Sequence, residues 1–230
     1  MRISDQLRID RFLDEFRTME QSGEFPQFAI VYLPQDHTSG ADENSPTPRA
    51  HVADNDLAVG RLVEALSRSR FWGTTAVFVT EDDPQNGWDH VDGHRSTCLV
   101  LSPWAKRRAV LHRFYNQTSV LRTMELILGL PPLTQYDAAA TPMFASFTNT
   151  PDLSSYTLIP PQINLSAKNR IGGVGAEESA KMDWSEYDRI DEDRLNHILW
   201  ASIKGPNTPM PPPVHRLFPA APSKRSEERD

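Results

Sequence analysis

Thr75 to Leu101 reads TAVFVTEDDPQNGWDHVDGHRSTCLVL. Two apolar runs, Thr75 to Val79 and Ser96 to Leu101, enclose a loop that carries Glu81, Asp82, Asp83, Asp89, His90, Asp92 and His94. Short runs rich in Val, Phe and Thr make strands. The stretch therefore predicts a strand, a loop dense in metal-type donors, and a second strand. Neighbouring side chains on a regular strand point to opposite faces, so Asp82 and Asp83 can act together only where the ladder breaks. Pro84 helps to end it. His90 and His94 share a face if their loop makes a helical turn.

The pattern repeats upstream. FAIVYL, Phe28 to Leu33, runs into LPQDHTSG, Leu33 to Gly40, which puts Asp36 and His37 at the end of another apolar run. FAIVYL is apolar on both faces, as suits a central strand covered by helices. Between the two runs a helix is expected over about Ala53 to Ser69, with Val52, Val59, Leu62, Val63 and Leu66 at helical spacing. Strand–helix–strand order predicts a βαβ unit with parallel strands and a right-handed crossover. Ligands of such sheets bind beyond the carboxyl ends of the strands, where both acid/histidine groups lie. The two groups are therefore expected to meet in space.

The remaining chain reads around that unit. Residues 4–22 predict a helix capped by Ser4 or Asp5 and stopped by Gly23. A third helix is expected over about Thr118 to Leu128, with Val120, Leu121, Met124, Ile127 and Leu128 on its apolar side and Thr118 or Asn116 as its cap. Ala138 to Ala140 reads as a short turn. Ile190 to Ile203 reads as a docking helix. The boundaries follow: 1–147 forms the main domain, 148–204 is irregular with that helix, and 205–230 is a Pro-rich, disordered tail. Asp54 and Asp56 read as acids at a helix start, and His51 and His112 as packing or surface residues. Arg95 could meet a phosphate or neutralise the neighbouring acids. Cys98, the single cysteine, reads as a small buried apolar residue.

Composition narrows the class. A chain of 230 residues suits one domain with an appendage. A net charge of -7 and the lack of a dense Lys/Arg cluster argue against nucleic acid as a partner. No apolar run reaches the ~18–20 residues of a membrane span. Met1 leads directly into an amphipathic pattern and not into a signal peptide. Carboxylates suit hard cations, while imidazoles suit zinc, manganese or iron. Asp and His on strand ends can hold one or two divalent ions, and a pair of ions stabilises the attacking and leaving oxygens of an in-line displacement. Acid-rich loops are also commonly just solvated. The recurrence of the pattern at two strand ends favours metal.

The series LPQDHTSG, TPRAHVADNDLAVGRLVEALSRSRFW, TAVFVTEDDPQNGWDHVDGHRSTCLVLSPWAKR and SVLRTMELILGLPPLTQYDAAATPM resembles the C-terminal half of bacterial phosphoesterase-type proteins of the alkaline phosphatase superfamily. It is similar, more distantly, to bacterial phospholipase C and acid phosphatase enzymes. The likeness runs from about Asp5 to Met143. RIDEDRLNHILWASIKGPNTPMPPPVH resembles the C-terminal segment of the same group. The resemblance implies an α/β fold, a partial three-layer α/β/α sandwich with a mainly parallel sheet, followed by a mostly irregular C-terminal extension. It implies metal-dependent hydrolysis of phosphoesters, with zinc, manganese or calcium as the divalent ion. The substrate would be a phosphate-ester small molecule or a phospholipid.

Carried over by motif, Asp36 and His37 match the family's middle ligand set. Asp82 and Asp83 match its paired position, with an acid at Asp83 where a His is more usual. His94, ahead of His90, matches the later His. The sequence departs from the pattern in two ways. Asp36 and His37 are adjacent, where the family spaces them by three, and nothing before Asp36 resembles the first Asp and the Thr or Ser nucleophile. The expectation is a chain that carries part of the metal site and lacks the nucleophile half. That half, or a β-propeller, would belong to the full-length protein. Thr38 and Ser39 are fallback nucleophiles. The alternative is a non-catalytic fragment that binds metal or a partner. Members of the group are often exported, but the sequence leaves the compartment open.

Overall fold

The computed structural model describes residues 3–84, 87–185 and 189–215. The first helix, α1 (Asp5–Ser22), starts where Ser4 accepts the amide of Leu7 and stops at Gly23, whose φ of 76° closes the last turn through Met19 O. The second, α2 (Pro48–Arg68), begins earlier than the apolar spacing suggests. Thr47 accepts the amide of Ala50, and Pro48 occupies the first turn, where its missing N–H costs nothing. The Thr-Pro pair was the start signal. Asp54 thus lies inside the helix, and its carboxylate accepts the Asp5 amide of α1 at 2.7 Å.

These two helices make the core. Ile9 and Phe16 of α1 meet Ala58, Leu62, Val63 and Leu66 of α2, with Phe25, Val31, Leu33 and Phe71 packed around them. Phe16 and Phe25 meet edge to face at 5.4 Å, and Phe25 stacks on Phe71 at 5.2 Å, spacings at which aromatic pairs attract beyond their buried area.

The sheet differs from the expectation. β1 (Val77–Thr80) and β2 (Cys98–Leu101) pair with each other, antiparallel, with Val77 opposite Leu101 and Thr80 opposite Cys98. They are the two arms of a hairpin, and among the described residues this is the one sheet. The reason is topological. A parallel pair needs a crossover, usually helical, whereas an antiparallel pair can be closed by a loop, and among the described residues of Glu81–Thr97 there is no helix. FAIVYL joins no ladder among the described residues. Val31 and Leu33 pack on the core, while Phe28, Ile30 and Tyr32 are 51%, 80% and 54% exposed. Among the described residues the fold is thus mixed α/β, with six helices and a small antiparallel hairpin, and not a mainly parallel sandwich. Cys98, expected inside, is exposed on this hairpin.

The remaining helices are α3 (Gln117–Leu128), α4 (Gln135–Ala139), α5 (Ala176–Lys181) and α6 (Glu192–Lys204). Asn116 caps α3, accepting the amide of Ser119. Its buried face is more polar than expected: Ser119, Val120, Thr123 and Glu125 turn inward, while Ile127 is exposed. Thr123 explains part of this, since its hydroxyl accepts the amide of Met143 at 2.9 Å and joins α3 to the following segment. α6 docks through Leu195 and Ile198, with Ile190 also buried. Of the tail expected to be disordered, residues 205–215 are described and run back over the loop after β1. Residues 216–230 lie outside the described residues.

Candidate functional site

Asp36 and His37 sit in a single 3-10 turn, Gln35–His37, and Gln35 anchors that turn. Its amide donates to the buried carboxylate of Asp5 at 3.0 Å, and its side-chain nitrogen donates to Ile3 O at 2.6 Å. Its side-chain oxygen is 2.5 Å from His51 Nδ1. Because the Gln35 nitrogen is engaged with Ile3, its oxygen faces His51, and Nδ1 is therefore the imidazole donor. Asn55 closes the network by donating to Asp5 Oδ2 at 3.0 Å and to Leu33 O at 2.6 Å. Both His51 and Asp5 are buried. Burial pushes the His51 pKa down to about 4 and pushes the Asp5 carboxyl up, against hydrogen bonds from Gln35 and Asn55. The sequence marks neither group as support for Asp36, because they come from different helices.

The residue after the turn is strained. Thr38 has a φ of 62° and a ψ of -176°, a region that a β-branched residue rarely enters. It is buried, and its hydroxyl accepts the Gly40 amide at 3.2 Å. The conformation ends the turn and directs the chain into the following loop.

The second group lies at the end of β1. Asp82 and Asp83 are exposed. Asp82 Oδ1 accepts the amide of Asp83 at 3.0 Å, and the Gln117 side chain from the start of α3 donates to Asp82 O. Glu81, one residue earlier, is half-buried, and its backbone amide bonds Thr97 O at 3.2 Å across the hairpin mouth. The two groups meet electrostatically. Burial raises the Asp36 carboxyl, and the charge of Asp82 raises it further. Burial likewise raises Glu81, as do the charges of Asp36, Asp82 and Asp83. So Asp36, Glu81, Asp82 and Asp83 form a loose nest of like charge, whose donor atoms are more widely spread than those of the one group of three that lies within 4.8 Å among the described residues. Glu81 was legible as one of the acids at the strand end, but its place in the nest was not.

The rest of the loop does other work. Asp89 accepts Arg95 Nε at 3.1 Å and Nη2 at 2.7 Å, and also the amides of Val91 and Asp92. The Arg95 guanidinium, with these amides, holds its carboxyl at about 2. Of its two expected roles, Arg95 takes that of neutralising an acid. His90 is exposed on this loop. His94 turns to Asp92, with Nδ1 2.8 Å from Oδ1.

The C-terminal extension closes on both loops. The Asn169 side-chain amide donates to Asp42 O at 2.9 Å and Pro46 O at 3.0 Å. Ser179 of α5 accepts the Ala41 amide at 2.9 Å. On the other loop, Trp88 meets Trp200 of α6 edge to face at 5.5 Å, and the Gly93 amide donates to Val214 O at 2.7 Å.

A mixed α/β frame with a carboxylate nest between two clamped loops is the setting in which the comparisons fall. The Phosphoesterase family model matches residues 3–131, and the chain belongs to that family. No curated protein and no solved structure matches the chain. Among the described residues no helix is long and apolar enough to cross a membrane.

Proposed function

We propose that the chain serves metal-dependent hydrolysis of phosphoesters and that Asp36, His37, Asp82 and Asp83 hold the metal. Family membership supports the reaction class. The observation that carries the metal is charge coupling at the strand end: beyond the effect of burial, the charge of Asp82 raises Asp36, and the charges of Asp36, Asp82 and Asp83 raise Glu81. Carboxylates pushed together against their own repulsion suit a divalent cation, and the donor set of carboxylates with imidazole fits zinc, manganese or calcium. Bound there, the ion would polarise a phosphoryl oxygen. The chain's own residues do the rest. Gln35, fixed by Asp5 and His51, sets the position of Asp36 and His37. The break after β1 lets Asp82 and Asp83 leave the ladder together.

The nucleophile is not assigned to this chain. Thr38 and Ser39 are buried, and the Thr38 hydroxyl is engaged by Gly40. That burial favours the second reading, a chain that binds metal without turnover by itself.

Titration of chelator-treated protein with manganese and zinc tests the site, and a chromogenic phosphomonoester and phosphodiester test the reaction. Binding that is lost in Asp82→Asn and Asp36→Asn is the expected result. Unchanged binding in both variants removes the site. Turnover of either ester, abolished in Asp83→Ala, would place the nucleophile within this chain.

A further inference from the structure

A second set of metal-type donors shares no residue with the carboxylate nest. Asp92 and His94 belong to the loop after β1, and His215 comes from the far end of the described chain. One donor atom from each of the three lies within 4.8 Å of the other two. The His94 and His215 rings are 5.1 Å apart between centroids and inclined at 46°, so they are not stacked face to face. The main chain holds them together independently of the rings. The Gly93 amide donates to Val214 O at 2.7 Å, which joins the residue before His94 to the residue before His215. Pro211, Pro212 and Pro213 stiffen the approach to His215. Much of the entropy cost of assembling ligands from the two ends of the sequence is thereby met before any ion arrives.

We propose that Asp92, His94 and His215 bind a late first-row divalent cation, zinc in the first instance, which clips the C-terminal segment to the loop after β1. Two imidazoles and one carboxylate match zinc, with water completing a tetrahedral shell. The same set is poor for magnesium or calcium, which take oxygen ligands. The site is separate from the oxygen-rich nest of Asp36, Asp82 and Asp83, and it does not depend on the proposed hydrolysis. It assigns His94 to the clip.

The test uses the full chain, stripped with chelator and dialysed. Zinc is titrated calorimetrically, cobalt is followed by its visible absorption, and amide exchange is read at Gly93. The wild type is expected to bind zinc and to protect the Gly93 amide on binding. His215→Gln should weaken zinc by at least the roughly 10- to 100-fold that loss of an outer partner alone costs, and should abolish the added protection of Gly93. His94→Gln should match it. Asp36→Asn should leave this site intact. Equal zinc affinity in the wild type, His94→Gln and His215→Gln overturns the proposal. Loss in His94→Gln without loss in His215→Gln also overturns it, because His94 would then serve another site. Zinc lost only in Asp36→Asn and Asp82→Asn overturns the clip while leaving the proposed metal nest standing.

Discussion

His51 is the residue whose protonation the fold opposes most directly. Its Nδ1 is committed to Gln35, and its Nε2 is buried without a hydrogen-bond partner among the described residues. A second proton would place a charge on Nε2 with nothing to receive it. The pKa of about 4 lies below the usual 6.5 of an unfolded histidine, so between those values the unfolded chain binds more protons. Stability from this group is complete above about pH 6.5 and is lost as pH falls toward 4. Thermal unfolding followed from pH 7 to 4 should show a decline that His51→Gln flattens. Asp5 is the complementary case. Asp5→Ala would strand the buried Gln35 amide, at a cost of about 1–3 kcal/mol. Urea unfolding should show that loss. Metal titration of the same variant should show weaker binding, because Gln35 positions Asp36. The nest adds a pH dependence of its own. Asp36 and Glu81 have raised pKa values, so protons compete with the ion, and metal affinity should fall as pH drops through that raised range. Calorimetry in two buffers of different ionisation enthalpy should register proton release on binding.

At the scale of elements, helices were legible and pairing was not. Ser4, Gly23 and Asn116 act locally, and each caps where the sequence places it. The start of α2 was missed because Thr47 and Pro48 precede the apolar stripe, which reports the buried face and not the first turn. FAIVYL misled for a physical reason: strand pattern measures apolar content and says nothing of a ladder partner. Its alternate residues pack or face solvent according to what lies on each side. Asp36, Asp82 and Asp83 could be put forward as ligands from sequence because a run of donors after an apolar segment is a local signal. His215 was not, because a donor far along the chain becomes relevant only once the tail has folded back. The loop after Asp36 carries a sharp steric test. Gly40 has a φ of +58°, and a Cβ there would lie 2.6 Å from Ser179 Oγ and 3.3 Å from Leu195 Cδ1. Gly40→Ala combines backbone strain with overpacking and should cost about 1–3 kcal/mol by denaturant unfolding.

For the whole molecule, the extension beyond the family match is a two-armed clamp. One arm, through Asn169 and α5, holds the loop that follows Asp36 and His37. The other, through α6 and the segment to His215, holds the loop that follows Asp82 and Asp83. The arms touch each other, since Arg194 of α6 pairs with Glu178 of α5 and Leu195 lies beside Gly40, but Asn169 and Trp200 bind different loops through separate contacts, so substitutions at those two should be nearly additive. Asn169→Ala removes an amide that satisfies Asp42 O and Pro46 O. Those carbonyls would need other partners, a loss of about 1–3 kcal/mol, or roughly 5- to 150-fold in a local opening equilibrium. Amides of residues 41–47 should exchange faster by that order, while those of residues 87–95 stay unchanged. Trp200→Ala removes the edge-to-face contact with Trp88, worth about 0.5–1.5 kcal/mol beyond its buried area. It should reverse the pattern, with residues 87–95 opening and residues 41–47 unchanged. If either substitution loosens both loops equally, the arms do not act separately. The extension would then be one cooperative unit whose opening exposes both halves of the metal nest at once, and binding of the ion would slow exchange in both loops together.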